Sequence, residues 1–86
     1  MPTRRGGLSS TVLDGKIHAF GGEGRAAVFA AHAVYDPAAD RWTDAAPLPI
    51  ARHGLAVAAV NGKIYAIGGG PRAGYAQTDA VDVFTP

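Results

Sequence analysis

The sequence has no cysteine, one tryptophan and one methionine among its 86 residues. Without cysteine the chain can build no disulfide framework, no zinc knuckle and no thiol nucleophile. Charge is sparse and nearly balanced, with 8 Lys and Arg against 7 Asp and Glu, a formal net charge of +1. That excludes the concentrated basic stripe by which proteins hold nucleic acid or an anionic membrane surface, so neither is an expected partner. Long apolar runs are also missing. The two longest, residues 26–31 and 55–60, fall far short of the roughly 20 residues that cross a bilayer as a helix. The first residues, Met1-Pro2-Thr3-Arg4-Arg5-Gly6-Gly7, lack the apolar stretch of a secretory signal. Export by that route is therefore not expected of the chain as given, and the cytoplasm is the default for it, while a longer parent could be exported.

What is present is apolar residues and glycine. At 48% hydrophobic and 17% charged the chain is globular rather than disordered. Its length allows one small domain at most, burying about 60–65% of its unfolded surface. The 12 glycines are not scattered. Sliding the sequence by 47 residues lays residues 5–25 over 52–72 with ten of 21 positions identical, among them Arg5/Arg52, Gly15/Gly62, Ile17/Ile64, Gly21/Gly68 and Gly22/Gly69. Beyond Arg25 the shift becomes 49, so that Val34-Tyr35-Asp36-Pro37 faces Val83-Phe84-Thr85-Pro86. The two extra residues fall in the Gly- and Pro-bearing stretch 70–77, which reads as a loop. A duplication with a period near 50 lies in the range of propeller blades.

Each copy reads as a run of short strands. Residues 7–13 and 54–60 end at Asp14-Gly15 and Asn61-Gly62, dipeptides that accept positive φ at both centres of a type I′ hairpin turn. Strands at 16–20 and 63–67 follow, stopped by Gly21-Gly22 and Gly68-Gly69-Gly70. A third strand ends in Val34-Tyr35 and again in Val83-Phe84. In the first copy the turn signal at 36–40 leads to a fourth strand around Arg41-Trp42-Thr43. Residues 25–33 hold five alanines and score as helix on propensity alone. The matching stretch of the second copy carries Pro71, Gly74 and Thr78, which favours a loop followed by a strand, with a helical turn near 26–30 as the alternative.

The order Arg, small residue, apolar strand, Asp-Gly or Asn-Gly, Lys-Ile-aromatic, Gly-Gly, Val-Tyr-Asp-Pro and Trp resembles the kelch motif. Its carriers are Arg5, Gly15, Gly21, Gly22, Tyr35, Asp36, Pro37 and Trp42, then Arg52, Gly62, Tyr65, Gly68, Gly69 and Phe84. His18 departs from the pattern where Tyr65 follows it, and Thr85 stands where Asp36 does. The resemblance implies an all-β fold of kelch-type propeller blades, two four-stranded antiparallel units of which the second lacks its outer strand. One repeat would occupy residues 4–49 and an incomplete one residues 50–86. It further implies the C-terminal end of a larger propeller, and partners that meet the loop rim. The copper oxidases among kelch propellers need a cysteine joined to a tyrosine, which this chain cannot supply. The Gly-Gly pairs have a use apart from any family: they let a strand end sharply and let the next blade approach without a Cβ in the way. Tyr35 and Trp42 fit as packing between sheets.

Chemistry-bearing residues give weaker signals. His18, His32 and His53 stand 14 and 21 residues apart, with no i,i+4 pair, so no metal is expected. Ser9 and Ser10 lack a Gly-x-Ser-x-Gly elbow. Glu23 and Asp79 could pair only across blades. The run Gly21-Gly22-Glu23-Gly24-Arg25 lacks the Lys-Ser/Thr of a phosphate loop, and no cofactor is expected. In an up-and-down blade, the link into the first strand and the loop from second to third emerge at one edge. That topology gathers Arg5, Glu23, Arg25, Arg52, His53 and Arg72 on one rim, where repeat architectures place their binding loops. For Arg5 and Arg52 the competing role is to brace a blade through backbone carbonyls or an acid.

The sequence therefore points to a non-catalytic interaction module binding a protein or a small polar or glycan ligand through rim loops. The alternatives are a piece of a propeller enzyme acting on carbohydrate or sialic acid, and a lectin-like propeller stacking sugars on Tyr75, Trp42 or Tyr65. A count of four strands and then three leaves an open edge and two bare faces. Self-association or packing by further blades is expected rather than a compact monomer, for example three copies closing a ring of six blades.

Overall fold

A computed structural model describes residues 5–24, 28–71 and 78–85. Two antiparallel sheets account for every regular element among them. The first runs β1 (Ser9–Leu13), β2 (Lys16–Phe20), β3 (His32–Asp36) and β4 (Arg41–Asp44), each strand bonded to the next in sequence. The second runs β5 (Ala56–Val60), β6 (Lys63–Ile67) and β7 (Val81–Phe84) in the same meandering order. The all-β expectation holds, and the alanine-rich stretch is no exception: Val28 forms a bridge with Glu23, and His32 opens β3. Residues 26 and 27, part of the helical alternative, lie outside the described residues.

The hairpins form because their turn residues accept positive φ. Asp14 and Gly15 sit at φ 52° and 75°, and Asn61 and Gly62 at 50° and 76°, the paired left-handed geometry of a type I′ turn. The turns set the register: Leu13 faces Lys16 and Val60 faces Lys63, and the pairing then runs unbroken to Ser9↔Phe20 and Ala56↔Ile67.

Register decides which side chains meet, because alternate residues point to opposite faces. Phe20, Leu48, Leu55, Ile64 and Ala66 form the buried core between the sheets, with Leu13, Val57, Ala59 and Phe84 packed around it. Burying a ring such as Phe20 contributes about 1.5–3 kcal/mol. The covered side differs between the sheets. In β1 it is Ser9, Thr11 and Leu13, whereas in β5 it is Val57 and Ala59, which stand at the opposite parity of the repeat. Among the described residues the two sheets pack on each other, and they use opposite faces of the repeat to meet.

Backbone bonds tie the sheets at the end where the Gly-Gly pairs lie. Gly22 N–H donates to the Arg52 carbonyl at 2.7 Å, and Gly54 N–H donates to the Gly7 carbonyl at 2.6 Å. At Gly21 a methyl group would overlap the Arg52 carbonyl oxygen, so the close approach requires glycine there.

Candidate functional site

The arginines show the repeat at atomic detail. Arg5 Nη1 donates to the Gly21 carbonyl at 2.7 Å and the Ala31 carbonyl at 3.2 Å. Arg52 Nη1 donates to Gly68 at 3.1 Å and Ala80 at 3.0 Å. The partners are equivalent under the 47- and then 49-residue shift. Each arginine ties the end of the second strand to the residue leading into the third, within its own sheet. Arg52 is wholly buried, 0% exposed, and its Nη2 also donates to Asp82 Oδ2 at 2.7 Å. It therefore has no surface to offer a ligand. In the first sheet Ala33 stands where Asp82 does, and Arg5 Nε and Nη2 are buried without a partner among the described residues. Burial pulls the Arg5 guanidinium below its ordinary pKa, with Asp44 acting in the other direction.

Two rim residues from different repeats do come together. His53 Nε2 lies 3.4 Å from Glu23 Oε2, both partly exposed. Glu23 is held by a two-way backbone bridge to Gly6, and His53 by a similar bridge to Gly70. Those bridges place an acid and an imidazole side by side at the junction of the repeats. Arg25 and Arg72, the two loop arginines expected on the same rim, lie outside the described residues.

A pair that linear spacing concealed sits between the sheets. His18 Nδ1 is 2.8 Å from His32 Nε2, and His32 Nδ1 is 3.0 Å from the Ala46 carbonyl. A carbonyl can only accept, so His32 Nδ1–H donates to Ala46 and His32 Nε2 accepts from His18 Nδ1–H. The register explains the meeting: His32 is directly opposite Phe20, and His18 is opposite Val34, making the two histidines diagonal neighbours. His32 stacks on Phe20 with ring centres 3.9 Å apart and meets Phe84 of the second sheet edge-on at 4.5 Å. Burial lowers the pKa of both imidazoles, most directly that of His32, which is 2% exposed. Among the described residues no group of three or more His, Asp or Glu side chains is arranged to hold a metal ion.

The aromatic candidates are dispersed. Tyr35 and Trp42 are cross-strand partners with ring centres 5.1 Å apart, and Tyr35 Oη donates to Asp40 Oδ1 at 2.6 Å. That bond to an acceptor holds the phenol proton and raises its pKa. The pair lies on the face of the first sheet turned away from the second, so it is not part of the packing between these two sheets. Phe84, the repeat equivalent of Tyr35, does pack there. Tyr65 lies on the outer face of the second sheet, remote in the fold from Trp42, and Tyr75 is outside the described residues. Tyr65 and Trp42, the two that are described, lie on different sheets and do not form one sugar-stacking platform.

Family comparison matches a Kelch motif over residues 4–49 and a second Kelch motif over residues 51–70. The search of curated proteins finds no match. Kelch repeats generally serve as protein-interaction modules. With two meandering sheets, an arginine brace repeated at equivalent carbonyls, and motif matches that cover more than half of its length, this chain belongs to the kelch-repeat family.

Proposed function

We propose that the chain is a non-catalytic interaction module whose rim carries the binding surface, and that it also associates with itself or with further blades. The observation that carries the rim reading is the Glu23–His53 contact, in which the two repeats contribute side chains to one partly exposed surface. Neither residue is held within a single sheet ladder, so their spacing depends on how the repeats pack. A surface of that kind reads its partner across repeats. Arg25 and Arg72 flank the same loops in sequence and would add positive charge to it, so the favoured partner is a protein segment offering carboxylates or backbone carbonyls.

A displayed library of random 12-residue peptides, selected on the immobilised chain, tests this reading. Enrichment of acidic peptides is expected, lost when Arg25→Glu and Arg72→Glu are combined while the fold, followed by circular dichroism, persists. Selected peptides that ignore the double charge swap would move the surface off the rim. A glycan array on the same protein addresses the lectin reading.

A further inference from the structure

We propose that the cavity between the two sheets, beneath the linker 45–55, binds a small molecule with a single aromatic ring and one hydrogen-bond donor, a phenol by chemical class, and that Asp82 accepts from that donor. The site lies at the join of the two repeats and stands independently of the rim reading.

Size and lining set the class of ligand. The cavity measures about 160 Å³, and its walls include the apolar side chains of Phe20, Leu48, Ile64, Ala66 and Phe84. Cavities of about 150 Å³ lined by Leu, Ile and Phe stay dry and take up benzene from water. One aromatic ring therefore fits the space, whereas a sugar would find few hydrogen-bonding groups on these walls. Phe20 and Phe84 already meet edge to face, with ring centres 6.4 Å apart. They form an angled aromatic surface against which a third ring packs well.

The roof of the cavity is built in advance. Ala46, Pro47, Leu48 and Pro49 close it from the linker side. The Ala46 carbonyl accepts from His32 Nδ1 at 3.0 Å, and Leu48 N–H donates to the Ala30 carbonyl at 2.8 Å. Between and beside those anchors the two prolines fix φ, so the roof has little freedom left to lose on binding. Pro47 and Pro49 are exposed, and the lining thus runs from buried core out to solvent, giving a ligand a way in.

Asp82 is the one polar side chain in this lining among the described residues. Its Oδ2 accepts from Arg52 at 2.7 Å, while its Oδ1 makes no hydrogen bond among the described residues. Arg52 balances the charge of the carboxylate and leaves one oxygen to choose the ligand. An ionised carboxylate only accepts, so it favours an O–H or N–H on the ring and disfavours an acid. Mostly apolar walls with a single placed polar group are the usual make-up of a small-molecule site.

Phenol and toluene, alike in shape and heavy-atom count, test the proposal on the full 86-residue chain. In amide-resolved NMR titrations, phenol should give saturable shifts centred on Phe20, Ile64, Ala66 and Phe84. Phenol should bind about tenfold tighter than toluene, the effect of one hydrogen bond to a charged acceptor. Ala46→Leu, at an exposed roof position, should fill the space and abolish binding of both probes. Asp82→Asn should erase the preference for phenol and leave toluene unchanged, because Arg52 keeps the amide oxygen and an N–H replaces the spare acceptor. Ala46→Val replaces Ala46→Leu if that variant loses its circular dichroism signal. If Asp82→Asn does so, the ratio of the two affinities on the unmodified chain decides the role of Asp82. Shifts centred elsewhere, toluene binding as tightly as phenol, binding that survives a filled roof, or no saturable shifts with either probe overturns the proposal.

Discussion

Ala33 occupies in the first sheet the position that Asp82 occupies in the second, so Arg5 lacks the directly bonded carboxylate of Arg52 and feels Asp44 without a hydrogen bond to it. Arg52 donates to Asp82 at 2.7 Å, whereas Arg5 makes the equivalent carbonyl bonds and leaves Nη2 unpaired among the described residues; Nε is unpaired in both arginines. Removing one member of a buried pair leaves the other charge uncompensated, at a cost of about 3–5 kcal/mol when both are fully buried. Asp82 is 29% exposed, so Asp82→Ala should cost somewhat less, about 2–3 kcal/mol. Ala33→Asp should act in the opposite direction but by less, because the new carboxylate can reach Arg5 yet stands directly across the ladder from Asp44. Urea denaturation of both variants checks the pair of signs, and an Ala33→Asp chain less stable than its parent would show that the two brace sites are not equivalent.

The glycines separate into two physical classes that substitution can distinguish. Gly62 has φ 76° and open space where a Cβ would sit, so Gly62→Val meets backbone strain alone, about 1–2 kcal/mol. Gly21 has φ 65° and the Arg52 carbonyl of the facing sheet in the way of any Cβ. Gly21→Ala therefore combines strain with a forced separation of the sheets, and should cost about 3 kcal/mol or more although it adds one methyl. Thermal melts should rank Gly21→Ala as the more damaging change. The reverse order would mean that the sheets part easily at that end.

Much of this fold was legible because the chain is written twice. The strands at 16–20 and 63–67 have the bounds read from the sequence, since type I′ dipeptides fix one end and Gly-Gly the other. Strands β1 and β5 start two residues later than their apolar runs, at Ser9 and Ala56, because Gly7 and Gly54 take positive φ and cannot extend the ladder. The candidate site was less legible. Arg52 and Arg5 are near the rim in topology, but nothing in their spacing says that the side chains turn inward to carbonyls 16 and 26 to 28 residues away. The His18–His32 contact depends on the register of β2 with β3 across an 11-residue connection, which no turn signal fixes. The signal that could have found it was the departure at His18 itself, a polar ring where the second copy has Tyr65.

That histidine pair carries a pH dependence with a definite sign. In the folded chain His32 Nδ1–H is given to Ala46, His32 Nε2 accepts from His18, and both rings lie among Phe20 and Phe84, where a charge is poorly solvated. Burial is the first cause of the lowered pKa at each ring; at His18 nearby Lys16 adds to it while Asp14 opposes, and at His32 the Ala46 bond opposes. In the unfolded chain both rings titrate near the ordinary value of 6.5. Below that pH the unfolded state binds protons that the folded state refuses, so stability rises with pH through this window. The contribution is fully present above about pH 6.5 and is lost as the pH falls toward the lowered folded values, with a limiting slope of about 1.4 kcal/mol per pH unit for each ring. Replacing the pair by the residues of the second copy, His18→Tyr with His32→Val, should remove the part of the loss below pH 6.5 that these two rings cause. Urea midpoints measured at half-unit steps from pH 7.5 to 4.5 give the comparison. Parallel curves for the parent and the double variant would mean that the acid sensitivity comes from elsewhere in the chain.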